Sequence, residues 1–312
     1  MTDAPTTTTT DVLAGVDLHG RSVLVTGGTT GIGKETARAL AAAGASVVVT
    51  ARSAEKGATT VAELRAVAPG VDVTSEVLEL ASLASVRAFT DRFMAAHDRL
   101  DVLVANAGVM AVPFGQTDDG YESHLGVNHL GHFVLVGRLL PLLLASAPAR
   151  IVVLSSAGHA MSDIRWDDPS FARGDYSKME AYGQSKTANI LHVVELERRY
   201  GTSGVHAYAV HPGMVATELG RYFTPEDLQE LMARAAAAPA GAGLPPRVGV
   251  DVGAATSVWA AAAPGIESDG GSYLADCAVA TAEAYATDPD AARRLWALSE
   301  ELVGERFPEL RP

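Results

Sequence analysis

Tyr182-Gly-Gln-Ser-Lys186 sets a phenol and an ammonium four residues apart, and on a helix that spacing puts both on one face. A phenol ordinarily ionises near pH 10. It serves as a proton donor and acceptor at neutral pH if its pKa falls by roughly 2–3 units, the direction in which a neighbouring ammonium pulls. Upstream, Ile151-Val-Val-Leu-Ser-Ser156 reads as a strand ending in two hydroxyls. At the carboxyl edge of a parallel sheet such a hydroxyl can polarise a carbonyl. Near the amino terminus, Thr26-Gly-Gly-Thr-Thr-Gly-Ile-Gly33 places Gly27, Gly31 and Gly33 between a strand and a helix. Glycine allows positive φ and close backbone approach, and a helix N-terminus offers N–H donors and positive potential, so a pyrophosphate fits this turn.

Elements able to hold these groups alternate along the chain. Short β-branched runs at residues 22–26, 46–50, 73–78, 100–105, 150–155, 205–210 and near 272–274 read as strands. Helical patterns lie between them at 33–43, 83–97, 121–144, 177–200 and 249–262. That order predicts an α/β fold: a three-layer, doubly wound parallel sheet of about seven strands in a single domain over 17–312. Residues 1–16, with a threonine run, read as a disordered tail. Residues 216–248 break the rhythm with a short helical piece at 225–238 and a Pro/Gly/Ala stretch. An insertion at a strand's carboxyl end is expected to act as a substrate lid. Asp288 to Leu302 suggests a terminal amphipathic helix whose Leu295, Trp296 and Leu298 read as core.

Together the motifs resemble the short-chain dehydrogenase/reductase family over roughly residues 18–217: Thr26-Gly-x-x-x-Gly-x-Gly33, Asn106-Ala-Gly108, Asn128, Ser156, Tyr182-x-x-x-Lys186 and Pro212-Gly213 stand in register. The local wording Gly31-Ile-Gly-Lys-Glu-Thr36 and Tyr182-Gly-Gln-Ser-Lys-Thr-Ala-Asn189 is similar to its retinol-dehydrogenase-like branch, which suggests a lipophilic carbonyl or alcohol. The resemblance implies a Rossmann fold and hydride transfer with Tyr182 as general acid/base. Lys186 would lower the Tyr182 pKa and bind the nicotinamide ribose, Ser156 would hydrogen-bond the reacting oxygen, and Ser155 would give structural support. Asn128 would hold a helix distortion and a water that connect Lys186 to solvent. The cofactor would rest on Gly27, Thr29, Thr30, Gly31, Ile32, Gly33 and Lys34, on Glu79 and Leu80, on Asn106, Ala107 and Gly108, and on Pro212, Gly213, Val215 and Thr217. Two departures concern the cofactor: Ala105 stands where the family usually has asparagine, and Glu79 where it usually has aspartate. The resemblance also implies a homodimer or homotetramer built through the helices near 121–144 and 177–200.

At the end of the second strand the chain reads Val49-Thr-Ala-Arg52-Ser53, with no carboxylate to hold the ribose hydroxyls of NAD. Arg52 could contact the 2′-phosphate of NADP, and Lys34 could add a second cation, so NADP(H) is expected over NAD(H), which stays possible. A formal charge of -13 disfavours nucleic acid and anionic membrane surfaces. The most apolar stretch, 133–149, is broken by Arg138, Pro141 and Pro148 and is shorter than a membrane span. With the lone Cys277, read as a packing residue, this leads to the expectation of a cytoplasmic protein. His129, His132, His159 and His211 lack the partners of a metal site, and His211 is expected in the pocket wall. Tyr176 has Glu180 rather than lysine four residues on, so it is read as a substrate contact. Two alternatives stay open: a non-catalytic dinucleotide-binding regulatory protein, and an epimerase or dehydratase using the same cofactor seat.

Overall fold

Valine- and isoleucine-rich runs form strands wherever expected, because branched side chains pack well on a pleated, doubly covered surface. A computed structural model describes residues 6–174, 176–237 and 246–309. Its main sheet contains β1 (Ser22–Val25), β2 (Ser46–Ala51), β3 (Val73–Val77), β4 (Val102–Ala105), β5 (Ala149–Leu154), β6 (Val205–His211), β9 (Tyr273–Ala275) and β10 (Ala278–Val279). The spatial order is β3-β2-β1-β4-β5-β6-β9-β10. The sheet thus has eight strands where about seven are expected: seven are parallel, and the two-residue β10 turns back antiparallel on β9. Cys277 lies in that turn with φ 57°, half-buried, and not in the core.

Period-two alternation sorts the strands between two cores. Leu24, Leu103, Ile151, Val153, Ala207 and Ala209 face one side, while Val23, Val25, Val104, Val152, Leu154, Tyr208 and Val210 face the other. The first side is covered by α4 (Leu83–Ala96), α5 (Gly131–Ala145), α6 (Lys178–Tyr200) and α9 (Pro289–Val303). The second is covered by α2 (Gly31–Ala42), α3 (Ala54–Val67) and α8 (Val250–Ala262). After β3 the chain returns to lay β4 beside β1, Val25 opposite Val104. This reversal puts the carboxyl ends of β1 and β4 at the switch point where open α/β sheets bind ligands.

Three regions differ from the sequence reading. Within the segment read as a tail, Thr9–Val12 forms a one-turn helix, α1, capped by Thr8 and Asp11, with Thr9 buried and hydrogen-bonded to Glu35. Helix α3 goes unread in the sequence because Gly57, Thr59 and Thr60 weaken both helix propensity and the apolar stripe. The insertion is closed at its base by a small parallel pair, β7 (Met214–Val215) and β8 (Arg247–Val248), and carries α7 (Pro225–Ala237). Most of its Pro/Gly/Ala stretch lies outside the described residues.

Helices α5 and α6, where copies of the chain are expected to meet, are largely buried, and part of that cover comes from the carboxyl-terminal segment. Trp296 of α9 packs on Phe133 and Tyr200, and Phe307 packs on Phe133 and fills the space beside Gly137. Arg138 pairs with Glu305, Arg198 with Glu309, and Tyr121 donates to the Leu302 carbonyl. Residues 125–145 are long and apolar enough to span a bilayer, but 72% of that window is buried inside the protein, the place of a core helix.

Candidate active site

The glycine turn leaves β1 with Gly27 at φ 62° and Gly31 at φ 53°. Gly33 faces Asn106 at the end of β4 so closely that a Cβ would sit 2.2 Å from Asn106 Nδ2, a clash no rotamer relieves cheaply. Thr30, at the cap of α2, makes no side-chain capping bond, so the first-turn N–H groups remain available to an anion. Thr29, Gly31 and Ile32 are half-exposed along one edge, as are Asn106, Ala107, Gly108, Pro212, Gly213, Val215 and Thr217. Thr217 closes over the turn, its methyl 3.1 Å from where Gly31 would carry a Cβ. Free helix amides at the base of a cleft floored by backbone fit a dinucleotide's pyrophosphate.

Asn106 Nδ2 donates to the Thr26 carbonyl (2.8 Å), which locks the end of β4 to the turn. Glu79 spends one carboxylate oxygen on the Ala81 N–H (3.0 Å), and Leu80 is buried beneath Gly131. Arg52 is exposed and makes no ion pair among the described residues. Lys34 differs from its reading as a free cation: it pairs with Glu63 of α3.

The groups expected to handle the proton come from the turn that leads into α5, from α6 and from the end of β5. Residues Leu125–Leu130 form a π-helical turn, the distortion expected around Asn128. Asn128 accepts from Val109 N–H (2.8 Å) and donates to the Val109 carbonyl (3.0 Å) and to Ser185 Oγ (2.9 Å). Ser185 in turn donates to the Tyr182 carbonyl (2.7 Å). Lys186 Nζ donates to the Leu154 carbonyl (2.9 Å) and stands 5.6 Å from the centre of the Tyr182 ring. Ser155 Oγ donates to the Lys186 carbonyl (2.9 Å), the supporting role expected of it. Ser156 opens a 3-10 turn, Ala157–Met161, that presses on Tyr182: a Cβ at Gly158 would lie 2.7 Å from the phenol ring. Ser156 Oγ accepts from the Gly158 N–H (3.0 Å), and its hydroxyl is close enough to the Tyr182 phenol to pull that group's proton affinity down.

Burial rather than charge sets the proton affinities here. The Tyr182 phenol is pushed up to about 12 by burial, against the opposing pull of the nearby Ser156 hydroxyl. Burial likewise pushes Lys186 down to about 8. The lowered phenol expected from the nearby ammonium is therefore not what this arrangement produces, because desolvation of the phenolate outweighs the stabilising contacts.

Sequence reasoning missed a second polar cluster. Glu122 is fully buried and accepts from the His124 and Leu125 N–H groups (2.9 and 2.8 Å), while His124 Nδ1 lies 2.7 Å from Glu122 Oε1. Tyr176 donates to Glu122 and to the Val112 carbonyl (both 3.1 Å), and the His124 ring lies edge-on 6.1 Å from Tyr182. The available signal is Glu122 and His124, polar residues at the entry to an otherwise apolar helical run. His211 accepts from the Ala157 N–H (3.2 Å) and stacks on Tyr273, beside the Ser156 turn.

The profile of the short chain dehydrogenase family matches residues 21–227. The chain belongs to that family. Among its relatives, retinol dehydrogenase 12 of Mus musculus is 42% identical over 93% of this chain and 88% of its own. Human retinol dehydrogenase 13 is 38% identical over 94% and 88%. The structure of an uncharacterized protein from Mycobacterium paratuberculosis superposes with a TM-score of 0.74 at 33% identity, covering 95% of this chain and 98% of that one. A short chain dehydrogenase from Burkholderia cenocepacia, solved in complex with NADP, superposes at 0.64 with 29% identity over 82% and 96%. The chain is thus a short-chain dehydrogenase of the retinol-dehydrogenase-like branch on a Rossmann-type fold.

Proposed function

We propose that this chain is an NADP(H)-dependent oxidoreductase that interconverts a lipophilic ketone or aldehyde and the corresponding alcohol, with Tyr182 as the general acid/base. The observation that carries the reading is the convergence of the Tyr182 phenol, the Ser156 hydroxyl and the Lys186 ammonium beside a glycine turn with uncapped helix amides. A nicotinamide dinucleotide, when bound, supplies or receives the hydride. Its pyrophosphate would be held by the amides of Gly31, Ile32 and Gly33, its adenosine side by Asn106, Ala107 and Gly108, and its nicotinamide side by Pro212, Gly213, Val215, Thr217 and Lys186. Arg52, exposed and without an ion-pair partner among the described residues, supports a preference for the 2′-phosphate of NADP, a charge-assisted contact of about 1.5–3 kcal/mol.

In reduction, Ser156 Oγ and Tyr182 Oη both donate to the substrate oxygen as negative charge grows there, and the phenol proton then transfers to it. A phenol at about 12 holds that proton throughout the neutral range and suits the acid role. Lys186 keeps positive charge beside the phenolate left behind. In oxidation the phenolate takes the alcohol proton. A lipophilic substrate is supported by the retinol dehydrogenase relatives and by the apolar side chains Phe114, Tyr222, Leu228 and Met232, exposed on and near the insertion.

Loss of NADPH absorbance with a panel of lipophilic aldehydes and ketones is the test. Stoichiometric NADPH oxidation with alcohol formation is expected. Substrate conversion without net NADPH loss, or dinucleotide binding without turnover of any member, would replace this reading with an isomerising enzyme or a binding protein.

A further inference from the structure

Within the buried wall between the glycine turn and Asn128, every hydrogen bond has only one workable direction. Thr26 Oγ1 accepts the N–H of Ala107 (3.0 Å) and that of Asn106 (2.9 Å), the latter shared with the Val104 carbonyl (3.0 Å), so both of its lone pairs face N–H donors. Its own proton has two acceptors in range, His132 Nε2 at 2.9 Å and the Val104 carbonyl at 3.4 Å, and the shorter contact belongs to the histidine. His132 Nδ1 lies 3.1 Å from the Asn128 carbonyl, which can only accept. The ring is therefore the Nδ1–H tautomer, donating to Asn128 and accepting from Thr26. Thr26, His132 and Asn128 are each at most 1% exposed, so water offers none of them a substitute partner.

We infer that His132 is a positioning residue that ties the glycine turn to the π-helical turn, so that the dinucleotide seat and the proton-handling groups are held in one register. The path runs from the Asn106 and Ala107 amides through Thr26 and His132 to the Asn128 carbonyl. From the Asn128 side chain it continues through Ser185 to the Tyr182 carbonyl. A second tie runs beside this path, because the Asn128 side chain bonds the Val109 N–H and carbonyl, three residues beyond Asn106; His132 is the side chain that reaches Thr26 itself. The inference rests on the proposed use of this cleft for a dinucleotide.

Two near-isosteric variants cut one end each. Asparagine overlays its amide nitrogen on Nδ1, so His132→Asn keeps the Asn128 bond and drops Thr26. Glutamine reaches the position of Nε2, so His132→Gln keeps an acceptor for Thr26 and drops Asn128. The full chain is titrated with NADPH by fluorescence, kcat and KM are measured with the carbonyl that the unaltered chain turns over, and thermal unfolding is followed in parallel. His132→Asn is expected to lose roughly tenfold in NADPH affinity with kcat within about twofold, and His132→Gln the reverse, each loss being that of one buried hydrogen bond. Thr26→Ala and His132→Asn sever the same link, so the double variant is expected to lose little more NADPH affinity than either alone. Equal losses of affinity and kcat in both variants that track the melting temperature would overturn the inference, as would multiplicative losses in the double variant. NADPH affinity reads the Thr26 link whether or not a carbonyl is turned over, which keeps a failure of the redox reading separate from a failure of this one.

Discussion

The two sides of the cleft are built on different principles. On the dinucleotide side, main-chain geometry does most of the shaping: positive φ at Gly27 and Gly31, missing Cβ atoms, and free amides at the start of α2. On the side proposed for the substrate, groups from distant segments meet, as Glu122, His124 and the Val112 carbonyl do around the Tyr176 hydroxyl. A backbone cradle is specified by short, fixed spacing and tolerates little change. A side-chain wall is specified by packing between segments and can be altered without disturbing the sheet. The proposed chemistry sits where the two meet, at Tyr182 on α6.

The largest effect therefore belongs to the meeting point. Tyr182→Phe removes the acid/base oxygen and leaves the backbone cradle, so turnover is expected to fall about 10²–10⁴-fold. NADPH affinity is expected to stay within about threefold, and comparable losses of both in a fluorescence titration would mean that the cradle and the phenol are not separable. The pH dependence has a defined sign. Oxidation requires the phenolate of a group pushed up to about 12, so its rate is expected to rise with pH across the neutral range. Reduction draws on the neutral phenol and is expected to stay level until Lys186, pushed down to about 8, loses its proton. Initial rates in both directions check this, and an oxidation rate that falls with pH would contradict the assignment.

A second break lies behind the substrate side, in the carboxyl-terminal strap that covers α5 and α6. Phe307 is 7% exposed, 5.5 Å ring to ring from Phe133, and occupies the space that Gly137 leaves open. Phe307→Ala is expected to cost about 3–5 kcal/mol of stability by opening a cavity there, read from denaturant unfolding. NADPH affinity of the folded fraction should not change, because the strap and the cradle share no side chain.

The same division governs what the sequence discloses. The seven parallel strands of the main sheet were legible because each is a short apolar run, too short for a helix, whereas the two-residue β7, β8 and β10 were not; Tyr182, Lys186 and Ser156 were legible because a four-residue helical spacing and a strand end place them without reference to the rest of the chain. Helix α3 was not, since Gly57, Thr59 and Thr60 dilute its stripe. The engagement of Lys34 by Glu63 depends on how α2 meets α3, and the coverage of α5 and α6 depends on where residues 289–309 fold back. Nor could spacing foretell that burial would raise the Tyr182 phenol, because burial is a property of everything packed around it.

Cofactor choice sharpens the comparison from the cradle's side. Arg52→Ala removes the cation at the end of β2 that makes no ion pair among the described residues, and is expected to lower NADPH selectivity over NADH by about 10- to 100-fold, the scale of one charge-assisted contact. Lys34→Ala is expected to change it less, since that ammonium is already committed to Glu63. Specificity constants with both cofactors decide this, and equal effects of the two substitutions would remove Arg52 from its assigned place.

The smallest effect tests whether the insertion serves as a lid. Asp227 at the start of α7 accepts from Lys178 Nζ (2.7 Å) at the start of α6 and from the Thr224 N–H (2.9 Å), which fastens the insertion beside Tyr176. The Lys178 side chain is 27% exposed, so water screens the pair and it contributes on the order of 0.2–1 kcal/mol. Lys178→Ala leaves the Asp227 bond to Thr224 intact and releases only the tie between α6 and α7. KM for a bulky lipophilic carbonyl is then expected to rise about two- to fivefold, with KM for NADPH and kcat for a small carbonyl unchanged. An equal rise for small and bulky substrates would show that the tie supports α6 itself rather than a cover over the substrate, because the amino end of α6 lies only four residues before Tyr182.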